Sequence, residues 1–508
     1  MADMMRRDFL QTAGTGLGLV VVSGFFHDRL LAGDKSLSGM GLFQERFGLT
    51  EKDLRKALEA ALSKGGDFAE IFLEYRVDNA VTMEEEIIKE SSEEVLLGAG
   101  LRVLNGDQTG YAFTSTFTPE ELKRTALTAA AIATSRSSVR PAALRPVKTD
   151  QQVYIMERPL GQEPLGSKIA LVRSAYAAAQ KYDKRIAKVQ VSLGDSLQYV
   201  TIANSEGLLV SDARPQVRLV VTATAEENGE RSTGRGNAGG RVGMAFFEGV
   251  ETPASIGEKA AKEAITLLSA VDAEAGEQPV VLGKNNSGVM VHEAVGHPLE
   301  GDGNWKKSSI MWDKLGQMVG NPVVTIYDDA TIPRSRGSLN VDDEGTRTRK
   351  VMLIEKGKLV GYLNDRLSAK MLKMEMNGHG RRDSYRSTPV PRMANTVLAS
   401  GDADPEEIVR SVKKGFYADT FQGGQVQGTG KFTFSVNLGY LIEDGKLTRP
   451  VKNATLIGTN VQILKEIDMV GSDQGFFLGT CGKAGQWAPV TAGTPTVRIR
   501  QMTVGGRK

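Results

Sequence analysis

The chain reads as an α+β protein: N-terminal α/β units with antiparallel sheets, followed by a β-rich C-terminal domain. Three observations predict this. A pattern of helix, then strands, then helix occurs twice before residue 272. From Val323 to Arg500 the ordered segments mostly alternate with the period of a strand. And 57 glycines set against 6% aromatic residues point to many turns. The 508 residues suffice for two or three domains, which fall at 45–140, 165–272 and 278–504.

At the N-terminus, Met5-Arg6-Arg7-Asp8-Phe9-Leu10 precedes the weakly polar run Gly14 to Phe26. That is the layout of a twin-arginine export signal, so 1–33 reads as a leader and the protein as periplasmic, with a cytoplasmic location as the alternative. The run is too short for a stable membrane span. Thr50 caps an amphipathic helix, Glu51 to Leu62. Phe68 to Arg76 and Ala80 to Ile88 read as neighbouring strands, and Glu94 to Leu104 meets Gly110 to Ser115 through an Asn-Gly-Asp turn. The cluster Glu84-Glu85-Glu86 lies on a strand edge, where a solvated face outweighs a metal site.

Thr118 and Pro119 open a helix reaching about Ser135. Residues 137–164, with four prolines, read as an extended linker. A helix from Ser167 to Tyr182 precedes strands at Ile186 to Leu193, Gln198 to Asn204, Leu208 to Ala213 and Gln216 to Glu226. Gly229 to Gly243 holds six glycines with Arg231, Arg235 and Arg241. It reads as a mobile loop in preference to a phosphate cradle, because no P-loop lysine-serine pair follows. Thr252 to Ala270 is a further helix. Strands follow at Val280 to Leu282, Val323 to Tyr327, Val351 to Ile354, Lys358 to Tyr362, Lys431 to Ile442 and Lys446 to Val451. Hairpin turns fall at Glu355-Lys356-Gly357 and Glu443-Asp444-Gly445, and a helix covers Pro405 to Lys414.

Chemistry concentrates at Val291 to Asp302, V-H-E-A-V-G-H-P-L-E-G-D, which holds two of the four histidines. Two imidazoles and a carboxylate between them are what a hydrolytic metal site needs: ligands for the ion and a base for its water. His292 and His297 are the candidate ligands and Glu293 the candidate base. Five residues of about 100° each would turn the second ring about 140° from the first on a regular α-helix. Gly296 permits unusual backbone angles and Pro298 biases His297 away from the α region, so a widened turn is expected over Ala294 to His297. A helix start near Ser287, capped by its hydroxyl, is expected too. The single cysteine excludes intrachain disulfides. Cys481, flanked by Gly479 and Gly482, would complete a two-histidine, one-cysteine site with an open position. Glu300 and Asp302 are placed to orient a ligand imidazole.

The motif resembles the H-E-x-x-x-H signature of the TldD half of the TldD/PmbA family of metallopeptidases, also called gyrase modulators. Further blocks match in order: R-R-D-S-Y-R-S-T-P-V-P-R-M-A-N-T at Arg381 to Thr396, G-K-F-T-F-S at Gly430 to Ser435, R-P-V-K-N-A-T-L-I-G at Arg449 to Gly458, and T-C-G-K-A-G-Q at Thr480 to Gln486. The resemblance implies Zn2+ held by His292, His297 and Cys481, a catalytic Glu293, and a C-terminal metallopeptidase domain. It also implies digestion of unfolded or small processed peptides in a chamber formed with a TldE/PmbA-like partner; a homodimer is the alternative. Arg381, Tyr385, Arg386 and Arg392 become candidate substrate-binding residues. Gln427 stands where the family pattern leads one to expect an acid.

A net charge of +2 gives no electrostatic reason to expect nucleic-acid binding. The rival reading is a non-enzymatic modulator whose zinc is structural. It would need a fourth ligand, for which His379 is the candidate. A zinc amidase acting on non-peptide amides is a second enzymatic alternative.

Overall fold

Thr50 caps its helix as its sequence requires: the hydroxyl accepts from Asp53 N, and the Asp53 carboxylate accepts from Thr50 N. In the computed structural model, which describes residues 40–132, 139–149, 152–249, 251–427 and 430–506, this helix is α2 (Glu51–Ala61), after α1 (Gly41–Phe47). The leader expected at 1–33 lies outside the described residues, as does the end of the helix expected to reach Ser135. Among the described residues no helix is long and apolar enough to cross a membrane.

The first sheet has seven strands: β1 (Phe68–Glu84), β2 (Ile87–Asn105), β3 (Gln108–Thr114), β4 (Arg145–Val147), β5 (Ile186–Asn204), β6 (Leu208–Glu227) and β7 (Glu230–Gly240). They run in the order β3-β2-β1-β5-β6-β4, with β7 also on β6. Both N-terminal units thus share one sheet, with a separate core on each part. Leu54, Leu58, Ile71, Leu101 and Leu122 belong to one, together with α1, α2 and α3 (Pro119–Ala129). Val172, Val191, Leu219 and Ile256 belong to the other, under α4 (Leu165–Tyr182) and α5 (Pro253–Leu268).

Several expected boundaries are corrected here. β1, β5 and β6 are each continuous where the sequence suggests two strands. The polar residues at the expected breaks have partners: Asn79 donates across the sheet to Asp195 at 3.2 Å, and Lys168, from the helix over the sheet, pairs with the same Asp195 at 2.7 Å. Pro215 is tolerated within β6 because β7 starts pairing only at Val217 with Gly240, so its missing N–H deprives no neighbour. Glu85 and Glu86 form the tight turn between β1 and β2, with φ of +50° and +63°. The 137–164 stretch is not only linker, since β4 pairs parallel to β6. Nor is 229–243 a mobile loop. Its glycines form β7 because α5 presses onto the strand: a Cβ at Gly234 would come within 2.2 Å of Ala260 O, and one at Gly236 within 2.2 Å of Ile256 O.

The second sheet is built from β8 (Val271–Asp272), β9 (Gly276–Leu282), β10 (Ile326–Asp329), β11 (Lys350–Glu355), β12 (Lys358–Leu359), β15 (Asn395–Leu398), β16 (Lys414–Val426), β17 (Lys431–Glu443), β18 (Lys446–Lys452), β19 (Ala454–Thr459), β20 (Ile467–Lys483) and β21 (Gln486–Gly505). A separate pair, β13 (Gly380–Arg381) and β14 (Val390–Pro391), lies in the loop before β15. The expected hairpin turns form at Lys356-Gly357 and Asp444-Gly445, all four residues with positive φ. The helix at Pro405–Arg410 stops short of the expected Lys414, which already begins β16.

The central path β15-β21-β9-β16 positions the motif. β9 pairs with β21 and leads directly into α6 (Gly288–Val291), which lies on the β21 backbone. A Cβ at Gly288 would come within 2.4 Å of Ala492 O. β20 pairs with β21 on its other side, setting Cys481 against Ala488. Two hydrogen-bonded neighbours of β21 thereby close a sequence gap of 184 residues between His297 and Cys481.

Candidate metal centre

The motif folds as α6, a π-turn at His292–Gly296 and a short 3-10 turn at His297–Leu299. His297 N donates to His292 O, five residues back. This wider turn brings side chains five apart toward one face, which a regular helix cannot do. The two rings sit 5.1 Å apart, edge to face. The expected widening is therefore present, but its cause differs from the one read in sequence. Gly296 and His297 both keep right-handed helical angles, so neither an unusual glycine φ nor the bias of Pro298 operates. Gly296 is needed for space instead: a Cβ there would sit 1.8 Å from the Met393 sulfur. Ser287 does not cap the helix; its hydroxyl donates to Gly283 O.

Among the described residues, His292, His297 and Cys481 bring one ligand atom each to within 4.8 Å of one another. Cys481 Sγ lies 3.3 Å from His297 Nε2. A tetrahedral zinc with ordinary N and S bond lengths has ligand-to-ligand edges of roughly 3.3–3.8 Å. His292 Nδ1 is buried without a hydrogen-bond partner. These are residues a zinc ion fits.

The ligand atoms are held from behind. Glu300 Oε2 is 3.0 Å from His297 Nδ1, which leaves Nε2 facing the thiol. Lys483 bridges Glu300 at 3.0 Å and Asp302 at 2.7 Å. Burial would raise the Glu300 carboxyl, but Lys483 and then His297 bring it down to about 2. For the Cys481 thiol, burial is likewise outweighed, by hydrogen bonding to His292 and His297, and the thiol is lowered to about 5. A thiolate, the form that binds metals, is thus its ordinary state near neutrality. Glu293 is different, because burial raises its carboxyl above the usual range despite both imidazoles. Its Oε2 lies 3.9 Å from His297 Nε2. A carboxylate raised in this way is suited to exchange a proton.

Glu293, His297 and Cys481 line a cleft of about 630 Å³, with Gln427, Lys483 and Trp487 on its walls. Gln427, the departure from the family pattern, thus faces the candidate site. His379 does not. Its Nε2 is 3.0 Å from Asp328 Oδ1 and its Nδ1 3.0 Å from Asn377 O, both fully buried contacts, so it is no fourth ligand. The four residues proposed for substrate are also absent from this cleft's walls. Arg392 is fully buried and donates to the carbonyls of Cys481 and Gln486, steadying the thiol's strand. Arg381 donates to Met393 O and Pro489 O. Tyr385 packs over Gly98 and accepts from Arg386 Nε at 3.2 Å. Lys483 was missed in the sequence, although it stands two residues after the cysteine within a matched block.

His297, Cys481 and Glu293 at one cleft, with His292 buried beside them on a mixed α/β frame, are the donor set of a metal-dependent hydrolase. The chain belongs to the PmbA/TldD metallopeptidase family and is a metallopeptidase. The family's models match as PmbA/TldA metallopeptidase domain 1 over residues 69–133, central domain over 158–268 and C-terminal domain over 275–506. The chain is 40% identical to a metalloprotease TldD homolog of Haemophilus influenzae, over 87% of this chain and 93% of that protein. A zinc metalloprotease TldD homolog of Saccharolobus solfataricus is 32% identical over 48% of this chain and 55% of that one. In fold, the chain resembles a candidate modulator of a DNA gyrase from Thermotoga maritima (TM-score 0.73, 22% identity, 90% of this chain and 100% of that one). It also resembles TldE from Thermococcus kodakarensis (TM-score 0.69, 20% identity, 89% and 100%).

Proposed function

We propose that this chain is a zinc-dependent peptidase in which His292, His297 and Cys481 hold the ion and Glu293 is the general base. The observation carrying this reading is that Glu293 and two of the three candidate ligands share the walls of one open cleft. When bound, zinc supplies Lewis-acid polarisation of a carbonyl and acidifies a water to a pKa of about 7. Glu293 takes the proton from the attacking water and returns it to the leaving amine. Glu300 keeps His297 in the tautomer that offers Nε2, and Arg392 fixes the backbone that carries Cys481.

Unfolded or small processed peptides suit this cleft. Among the described residues, Gly424, Gln425 and Val426 on its wall pair with β17 on one side only. The other edge is free to bind an extended chain by strand addition. Pairing with a TldE/PmbA-like subunit, or with a second copy, would enclose the cleft; the TldE-like fold supports the former. The test is Glu293→Gln assayed on an unstructured peptide by mass spectrometry. It should keep its zinc and lose turnover by about 10²–10⁴-fold. Unchanged turnover would refute the assigned base.

A further inference from the structure

A second cavity, of about 380 Å³, lies between the two sheets and shares Thr480 and Trp487 with the metal cleft. Its walls are rich in arginine. Three of the arginines are neutralised: Arg76 by Asp78 at 2.9 Å, Arg214 by Asp212 at 3.1 Å and by Asp343, and Arg382 by Glu70 at 2.7 Å. Four are not. Arg218 comes from β6, Arg241 from just beyond β7, Arg336 from the β10–β11 loop and Arg381 from β13. No carboxylate lies within ion-pair distance of any of these four guanidiniums among the described residues.

Their protein partners are neutral. Arg218 donates to Leu478 O at 3.3 Å, Arg241 to Pro215 O at 3.4 Å and Arg381 to Pro489 O at 2.8 Å. Arg336 donates to Gly479 O at 3.0 Å and to Thr480 Oγ1 at 3.3 Å. The Nε groups of Arg218 and Arg241 are buried with no partner. Asp383 is the one acid in the lining without a cation partner. Burial and the neighbouring guanidiniums lower Arg336 to about 9, and burial, partly offset by Asp343, lowers Arg381 to about 10. Four separate segments therefore converge to hold guanidiniums that, among the described residues, no direct ion pair neutralises, with Asp343 and Asp383 the carboxylates nearby in the lining. Such an arrangement is costly, and an anion would relieve it.

We propose that this arginine cavity is a carboxylate-binding subsite for peptides held in the metal cleft, taking either a C-terminal carboxylate or an acidic side chain. Position favours a peptide carboxylate: Arg336 contacts Thr480, the residue next to Cys481, so an extended chain passing the metal site reaches the arginines within a few residues. The inference rests on the peptidase reading for its ligand, and its test does not depend on turnover.

The experiment uses zinc-loaded full-length Glu293→Gln protein and isothermal titration calorimetry. The probes are one unstructured hexapeptide with a free C-terminus, its C-terminal amide, and amidated versions carrying Asp or Asn at an internal position, with inorganic phosphate as a separate titrant. At least one carboxylate peptide should bind about tenfold or more tightly than its neutral twin, and whichever does identifies the source. Adding Arg218→Gln or Arg336→Gln should abolish that preference. Each should leave Tm almost unchanged, since both side chains are half-exposed and neither has an ion pair to lose; an arginine serving only the fold would lower it. Equal affinities for carboxylate and neutral twins, a preference that survives both substitutions, or phosphate binding more tightly than every peptide would overturn the proposal. Lack of turnover by the Glu293-intact protein would count against the peptidase reading alone.

Discussion

Gly296→Ala should disable the metal centre through packing, without touching a ligand. The added Cβ would lie 1.8 Å from Met393 Sδ, with the Met393 Cγ and Cε atoms at 2.9 and 3.1 Å. Ordinary carbon contacts begin at about 3.5 Å, so the π-turn and Met393 must separate by well over an ångström. Met393 is fully buried, and its carbonyl receives Arg381, so it has little room to retreat. Overpacking of this kind costs about 1–3 kcal/mol. Part of the displacement must fall on the turn carrying His292 and His297, loosening the ligand set. The assay is a double-mutant cycle of Gly296→Ala and Met393→Ala, read by denaturant unfolding and zinc affinity. Met393→Ala alone should cost about 2–5 kcal/mol for the cavity it leaves. In the double variant the new methyl occupies that cavity, so the two losses should fall short of their sum by about 1 kcal/mol or more, and zinc affinity should partly recover. Strict additivity, or full zinc affinity in Gly296→Ala, would refute the claim that Met393 sets the geometry of the turn.

Other outcomes follow from the same geometry. Glu300→Gln keeps the side chain's shape but weakens its hold on His297, and should lower zinc affinity about 10–100-fold by competition with a chelator. His379→Ala should destabilise the fold, because it strips a buried partner from Asp328, while the zinc stoichiometry stays unchanged. Asp365 is a buried carboxyl raised to about 7, by burial first and then by Glu344. Its folded value lies above the unfolded value of about 4, so the stability tied to its protonated form is complete below pH 4 and is lost as pH rises toward 7. Asp365→Asn should flatten the unfolding midpoint across that window; an unaltered slope would contradict the assignment.

That His292, His297 and Cys481 come together, and that the turn between the histidines is widened, was legible in sequence: the turn follows from local spacing, and the distant cysteine from its residue chemistry and its matched block. Five-residue spacing cannot put two imidazoles on one α-helical face, so the spacing alone requires an irregular turn. The need for glycine in that turn was not legible, because it comes from Met393, about a hundred residues away, which leaves no room for a Cβ at Gly296. Strand lengths failed for a similar reason. Val77-Asp78-Asn79 and Arg214-Pro215 look like breaks when read alone; pairing with Asp195, and an open edge beyond β7, let the strands run through. The glycines of β7 looked like a loop because their purpose, room for the α5 backbone, comes from another element. His379 and Arg392 show the same limit. Both are polar and lie in or beside a matched block, yet burial and partners give His379 to Asp328 and Arg392 to the Cys481 backbone.

The central claim is that three residues, and no fourth, hold one zinc beside Glu293. Its most direct test is metal analysis by inductively coupled plasma mass spectrometry of the wild type, Cys481→Ala and His379→Ala, purified side by side. The account predicts about one zinc per chain in the wild type and in His379→Ala, and loss of zinc in Cys481→Ala. A wild type without zinc, or zinc that disappears with His379 and persists without Cys481, would contradict it.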